Sequence, residues 1–102
     1  MKLKILTHPL LKNGEETTIH YPLSDKEFDD QFAEIFDKQH YRDGRVKNGI
    51  YVDLGANIGL TALYFAPYAK YYYAVEPSAP CFAAFQKNTQ GIPIELFNFA
   101  IF

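Results

Sequence analysis

The sequence predicts an α/β protein, because three apolar runs alternate with two helical segments in the second half of the chain. The runs are Ile50–Leu54, Lys70–Val75 and Ile92–Phe102, and the first and third are typical of strands buried on both faces. Right-handed crossovers would place these strands side by side in the order 3-2-1, with the helices on one face. That arrangement is half of a doubly wound parallel sheet, and a β-hairpin and a helix precede it.

The hairpin is predicted from two β-prone runs, Lys2–Thr7 and Thr17–Tyr21, with Asn13-Gly14 between them. An Asn-Gly pair favours a tight reversal because both residues tolerate a positive φ. The connection is longer than two residues, so we expect a hairpin with an extended loop. We interpret it as a structural appendage, and a substrate or partner contact is the alternative.

Ser24–His40 is predicted to be a helix that begins with a capping box, since Glu27 follows Ser24 by three residues. Four apolar side chains share one stripe and are expected to pack on the sheet: Phe28, Phe32, Ile35 and Phe36. Acidic residues lie on the other side, and we interpret them as a solvated helix face rather than as metal ligands: Asp29, Asp30, Glu34 and Asp37.

Composition excludes several classes of function. The 102 residues make at most one small domain, and 48 % hydrophobic residues suffice for a core. The net charge is −2 and the Lys and Arg residues are scattered, so the sequence shows no basic patch of the kind that binds nucleic acid. No signal peptide or membrane span is visible in the sequence. The single cysteine, Cys81, rules out an internal disulfide framework or a zinc cluster, fits a reducing cytoplasm and is expected to be a core residue.

The stretch most informative about function joins the first strand to the first helix of the second half. Asp53 ends the strand, and the turn from Gly55 to Gly59 leads into a helix over Leu60–Ala66 that Pro67 stops. The turn lacks two of the three glycines of the G-x-G-x-x-G dinucleotide motif and lacks the G-K-[ST] of a phosphate loop. A second acid, Glu76, ends the next strand. Two carboxylates at adjacent strand ends suit a ligand with an ammonium group and a ribose diol.

The segment from Val52 to Asn88, VDLGANIGLTALYFAPYAKYYYAVEPSAPCFAAFQKN, resembles the nucleotide-binding motifs of class I S-adenosylmethionine-dependent methyltransferases. The GANIGLT form followed by AVEP is most similar to the FkbM-type family, and only to its N-terminal portion. The resemblance is fainter over 98–100 and weak before Ile50. It implies a Rossmann-like fold, S-adenosylmethionine as cofactor, and O-methylation of a small molecule or saccharide.

The resemblance also implies which residues bind the cofactor. Asp53 and the Gly55–Gly59 turn would hold the methionine part, Glu76 would accept both ribose hydroxyls, and Pro77 and Ser78 would lie beside the adenine. The cofactor-binding set is therefore Asp53, Gly55, Ala56, Asn57, Gly59, Glu76, Pro77 and Ser78. Tyr41 would approach the methionine end, and a surface or packing tyrosine is the alternative. No general base is identified, since three isolated histidines are expected to be structural or surface residues: His8, His20 and His40.

The same resemblance implies that the family continues past Phe102, so we divide the chain into the hairpin and helix, 1–49, and a truncated βαβαβ half-domain, 50–102. The central strand then has an open edge and one sheet face lacks cover. We expect self-association or a second chain to cover them, and no turnover by the chain alone. The alternative function is a non-catalytic half-domain or interaction module. An NAD-dependent oxidoreductase is disfavoured by the glycine pattern.

Overall fold

A computed structural model of the chain describes residues 1–38 and 47–100. The predictions for Tyr41 and His40 and for the last two residues of the third strand fall outside this range. The elements follow the chain as β1 (Lys2–Leu6), β2 (Thr17–Tyr21), α1 (Asp25–Phe32), β3 (Gly49–Leu54), α2 (Leu60–Phe65), β4 (Ala69–Val75), α3 (Ala79–Asn88) and β5 (Glu95–Phe97). Among the described helices, none has the length and apolar character that crossing a membrane requires.

The predicted hairpin is confirmed, because β1 and β2 form an antiparallel pair with Lys2 opposite Tyr21 and Leu6 opposite Thr17. Its connection contains a 3-10 turn at Lys12–Gly14, in which Asn13 has φ 58° and Gly14 has φ 80°. The positive φ values are those for which Asn and Gly are favoured.

Helix α1 begins with the predicted capping box. The Glu27 N–H donates to Ser24 Oγ at 3.1 Å, and the Ser24 N–H donates to Glu27 Oε1 at 3.3 Å. The predicted helix is α-helical over Asp25–Phe32 and continues as a π-helical turn over Ala33–Asp37, and its last two predicted residues lie outside the described range. The wider turn keeps Ile35 and Phe36 buried.

The second half of the chain forms a three-stranded parallel sheet in the order β3-β4-β5. Together with the hairpin, this mixed α/β arrangement is compatible with part of a Rossmann-like fold. The predicted third strand, Ile92–Phe102, is much shorter in the structure, where β5 spans Glu95–Phe97. Pro93 has no N–H to give to a neighbouring strand. Beyond β5, the Asn98 side chain donates to the carbonyl oxygen of Glu76 at 2.8 Å.

The two faces of the parallel sheet have different environments. On one face Tyr72 and Ala74 are buried in the core, whereas on the other Ile50, Val52 and Leu54 are exposed. The prediction that Ile50–Leu54 is buried on both faces is therefore wrong within the described part of the chain. The expected lack of cover on one face agrees with these exposures.

The side chain of Asn88 ties the N-terminal hairpin to the second half of the chain. Its Oδ1 accepts the His20 N–H at 2.7 Å, and its Nδ2 donates to the carbonyl oxygens of His20 and Ile58 at 2.9 and 2.7 Å. Buried residues from both segments, such as Ile19 and Tyr64, belong to one core cluster. The hairpin is thus packed against the half of the chain that forms the parallel sheet rather than separate from it.

Candidate functional site

Asp53 and Glu76 lie at the carboxyl ends of neighbouring parallel strands. Asp53 is opposite Ala74 in the β3–β4 register, and Glu76 directly follows Val75, the last residue of β4. Side chains alternate along a strand, so both carboxylates project from the face that carries the helices. The structure therefore brings the two predicted acids to the same edge and the same face of the sheet.

Glu76 is bonded to the backbone on both of its carboxylate oxygens. Oε1 accepts the Asn57 N–H at 2.6 Å, and Oε2 accepts the Ser78 N–H at 2.9 Å. The residue is only 6 % exposed. Charge-assisted hydrogen bonds to main-chain N–H groups are among the stronger ones in proteins. Glu76 therefore holds the turn after β3 against the start of the segment that leads to α3.

Asp53 is bonded to a side chain instead. Its Oδ2 accepts the Tyr72 hydroxyl at 2.7 Å. Burial raises the pKa of the Asp53 carboxyl above its ordinary value and the negative charge of Glu76 raises it further, while the Tyr72 hydrogen bond lowers it. Among the described residues, no Lys, Arg or His forms an ion pair with Asp53 or Glu76. The edge thus carries two neighbouring acids whose charge no described basic side chain balances.

The two glycines of the turn serve different purposes. Both have a positive φ, 79° at Gly55 and 94° at Gly59. A Cβ on Gly59 would lie 3.1 Å from Phe85 Cδ2, so Gly59 is needed for the packing of α3 against the turn. A Cβ on Gly55 would meet no atom of the described residues within 4 Å. Gly55 therefore leaves open space beside the backbone, which a ligand can occupy.

The N–H groups at the start of the turn point into the protein. Those of Gly55 and Ala56 both donate to the Val75 carbonyl oxygen, at 2.9 and 3.0 Å, and that of Asn57 donates to Glu76. A pyrophosphate site of the dinucleotide type requires such groups to face the ligand. The geometry therefore gives no support to an NAD site at this turn.

A cleft of about 170 Å³ lies between the turn and the end of the first helical segment. It is lined by Gln31, Glu34, Ile35, Gly55, Ala56, Asn57, Leu60 and Thr61. Asn57 lines this cleft, and its Oδ1 atom is buried and accepts no hydrogen bond from the described residues. Ligand pockets commonly measure about 300–1,000 Å³, so this cleft has room for one end of a nucleoside-sized ligand rather than for all of it.

Pro77 and Ser78 are exposed and lie next to Glu76 rather than in the cleft. The Asn98 side chain, which bonds the Glu76 carbonyl, also lies 3.3 Å from the Pro77 carbonyl oxygen and donates to it. Three of the eight predicted cofactor residues, Gly55, Ala56 and Asn57, line the cleft. Four others lie at or directly after the strand ends: Asp53, Glu76, Pro77 and Ser78. The eighth, Gly59, packs against Phe85 and does not line the cleft.

Sequence reasoning missed the opposite wall of the cleft. Gln31, Glu34 and Ile35 lie some twenty residues before the turn, and we had assigned Glu34 only to a solvated face. The role of Tyr72 was also missed, although alternation along the YYY run required one tyrosine to face the helices. The sequence does not show that Tyr72 bonds Asp53 or that Glu34 faces the turn, because both contacts depend on how separate elements pack.

Two of the histidines have structural partners. His8 Nδ1 accepts the Leu10 N–H, its Nε2 lies 3.0 Å from Asp37 Oδ1, and its ring packs on Phe36. The backbone of His20 bonds the side chain of Asn88. In the described residues, no cluster of three or more His, Cys, Asp or Glu side chains is placed to hold a metal ion.

The fold and this site define an α/β protein with a carboxylate-flanked glycine turn at the carboxyl edge of a parallel sheet. No protein-family model, curated protein or solved structure matches the chain. The methyltransferase family that the turn resembles therefore stays a prediction.

Proposed function

We propose that the chain binds S-adenosylmethionine at the carboxyl edge of its parallel sheet, as the first half of a methyl-transferring domain. One observation carries this proposal. Two carboxylates without a basic partner among the described residues flank a turn whose first three N–H groups, those of Gly55, Ala56 and Asn57, already donate within the protein, and Gly55 leaves open space. Such a site favours a cationic ligand over an anionic one.

The methionine end of the ligand is assigned to the cleft. Asn57 Oδ1 is a buried acceptor to which no described residue donates, and leaving such an atom without a hydrogen bond is costly. A ligand ammonium group would supply that donor. It would also balance the negative charge of Asp53, whose raised pKa reflects burial close to Glu76. Gly55 allows the ligand to lie directly against the main chain.

The nucleoside end is assigned to Glu76, Pro77 and Ser78. Each oxygen of an ionised carboxylate has about two acceptor sites, and each Glu76 oxygen accepts one backbone N–H. One site per oxygen is left for the two ribose hydroxyls. Pro77 and Ser78 are exposed beside this carboxylate, where an adenine ring would contact them.

When bound, S-adenosylmethionine supplies an activated methyl group on its sulfonium. The contribution of this chain is to bind and orient the ligand, with the ammonium held at Asp53 and Asn57 and the ribose at Glu76. By analogy with the FkbM-type family, the methyl acceptor is a hydroxyl of a small molecule or saccharide. We assign no described residue as its general base.

Calorimetric titration with two ligands tests this assignment. S-adenosylmethionine carries the ammonium, and 5′-methylthioadenosine lacks the whole amino-acid part. For Asp53→Asn we expect the affinity for S-adenosylmethionine to fall about ten-fold or more, as for loss of a charge-assisted hydrogen bond. The affinity for methylthioadenosine should hardly change. Asp30→Asn, which neutralises an exposed aspartate bonded to Lys26, is the matched control and should leave both affinities unchanged.

Two outcomes would contradict the proposal. No heat at millimolar S-adenosylmethionine with folded protein would favour the non-catalytic half-domain. An equal loss of affinity for both ligands in Asp53→Asn would show that Asp53 does not recognise the ammonium group.

A further inference from the structure

One face of the parallel sheet exposes an apolar surface, which we call the bare face. In the β3–β4 register Ile50 lies beside Tyr71 and Val52 beside Tyr73. In the β4–β5 register the exposed Phe97 lies beside Val75, which is itself buried. Six large side chains of this face are between 42 % and 67 % exposed: Ile50, Val52, Leu54, Tyr71, Phe97 and Phe99.

Such exposure is unusual for a parallel sheet. Purely parallel sheets occur almost only where both faces are covered, because their strands are apolar on both sides. Here the described helices pack on the opposite face, where Tyr72 is 3 % and Ala74 0 % exposed. No described element covers the bare face. A contiguous apolar patch of this size marks a surface that another molecule contacts.

The size of the bare face suits a second copy of the chain. An aromatic side chain carries about 150–250 Å² of surface and an aliphatic one somewhat less, so six that are roughly half exposed offer on the order of 600 Å². A standard stable interface buries about 800 Å² on each partner. The bare face therefore approaches the area that a stable homodimer requires.

The charges at the bare face also permit self-association. Glu95 lies beside Tyr73 in the sheet, and Lys70 Nζ lies at the margin, 5.6 Å from the centroid of the Tyr71 ring. A two-fold axis would bring the same patch of each copy together. Each patch carries one acid, Glu95, and one base, Lys70, so two copies do not repel each other. Lys70 of one copy has Glu95 of the other as a residue of opposite charge.

We propose that the bare face is the interface of a homodimer in which two parallel sheets stack face to face. Sheets stacked in this way lie about 10 Å apart with interdigitated side chains. The exposed rows of β3 and β4 would then become the core between the two copies. This inference is independent of the proposed ligand.

Sedimentation equilibrium from 1 to 100 µM tests the dimer with two matched variants. Ile50 lies on the bare face and Ile5 on the hairpin, and they are 67 % and 61 % exposed. We expect the unmodified chain to be a dimer, Ile50→Glu to raise the dissociation constant at least 100-fold, and Ile5→Glu to leave it within a factor of three. Circular dichroism confirms folding, and Tyr71→Lys replaces Ile50→Glu if the latter does not fold.

Three results would overturn the inference. The first is a monomeric unmodified chain at 100 µM, which would leave the bare face to a different partner. The second is an equal effect of Ile50→Glu and Ile5→Glu. The third is a ladder of species larger than a dimer, which would assign association to the open edge of β3 instead of to a closed pair.

Discussion

Asp53 and Glu76 end neighbouring strands on the same face of the sheet, but their carboxylates have different partners. Glu76 accepts two backbone N–H groups and is almost fully buried. Asp53 accepts one phenol, and its pKa is raised by burial and by the charge of Glu76. The fold therefore uses Glu76 to hold the turn together, whereas the charge of Asp53 is a cost to the free protein that a cationic ligand would relieve.

The two glycines of the turn differ in the same way, since among the described residues one has a structural contact and the other does not. Gly59 is in contact with Phe85 and belongs to the packed side of the turn, and Gly55 faces open space. Residues on the packed side should thus govern stability, and those on the open side should govern binding. Three predictions test this division, in order of decreasing effect.

The largest effect is expected for Glu76→Ala. The substitution leaves the N–H groups of Asn57 and Ser78 without their acceptor, and each hydrogen bond to a charged group contributes roughly 1.5–3 kcal/mol. We expect the free energy of unfolding, measured with urea, to fall by about 3–5 kcal/mol. Glu16→Ala, at an exposed loop position, is the control and should change it by less than about 0.5 kcal/mol.

If Glu76→Ala folds with nearly the stability of the unmodified chain, Glu76 does not hold the turn after β3 in place. If the variant does not fold at all, Glu76→Gln still tests the role. The amide keeps one acceptor oxygen, so its loss of stability should lie between those of the alanine variant and the unmodified chain.

A smaller effect is expected for Gly59→Ala, because the new methyl group meets the buried Phe85 ring at a residue with positive φ. Overpacking and left-handed strain together should cost about 2–3 kcal/mol. Gly55→Ala introduces the strain alone, so about 1 kcal/mol is expected. Thermal and urea unfolding of both variants give the comparison, and equal losses would refute the division between packed and open sides.

The smallest effect is a pH dependence that distinguishes Asp53→Asn from the unmodified chain. The ordinary pKa of the Asp53 carboxyl is 3.8, and its pKa in the folded protein is higher. Between these two values the folded state binds more protons than the unfolded state, so the Asp53 contribution to stability falls as the pH rises. We expect Asp53→Asn to gain stability relative to the unmodified chain as the pH rises from 3.8 through the folded pKa.

This gain should be absent below pH 3.8, where Asp53 is protonated in both states. Urea unfolding of both proteins at a series of pH values measures it. A relative loss of stability for Asp53→Asn at neutral pH would mean that the Asp53 charge stabilises the fold.

Local patterns were sufficient to predict most of the elements. The capping box at Ser24, the Asn13-Gly14 reversal and the strand, turn and helix around Gly55–Gly59 each depend on neighbouring residues. The predicted length of the third strand was wrong, and the π-helical turn in the first helix was not predicted. An apolar run does not reveal whether backbone partners continue along it, and helical periodicity does not distinguish an α turn from a wider π turn.

The candidate site was predictable only in part for the same reason. The placement of Asp53 and Glu76 at adjacent strand ends follows from the topology that the motif implies. The hydrogen bond from Tyr72 and the cleft wall formed by Gln31 and Glu34 depend on contacts between distant segments. Likewise, the apolar pattern of β3 suggested burial on two faces, but exposure depends on which elements pack there.

The location of bound ligand tests the central claim most directly. Titration of ¹⁵N-labelled protein with S-adenosylmethionine, followed by amide chemical shifts, should move the resonances of Gly55, Asn57 and Ile35 first and saturably. The shifts should shrink at the same ligand concentration in Asp53→Asn. Saturable shifts confined to the apolar groove around Lys12, Pro67 and Ile92, or none at millimolar ligand, would contradict the account.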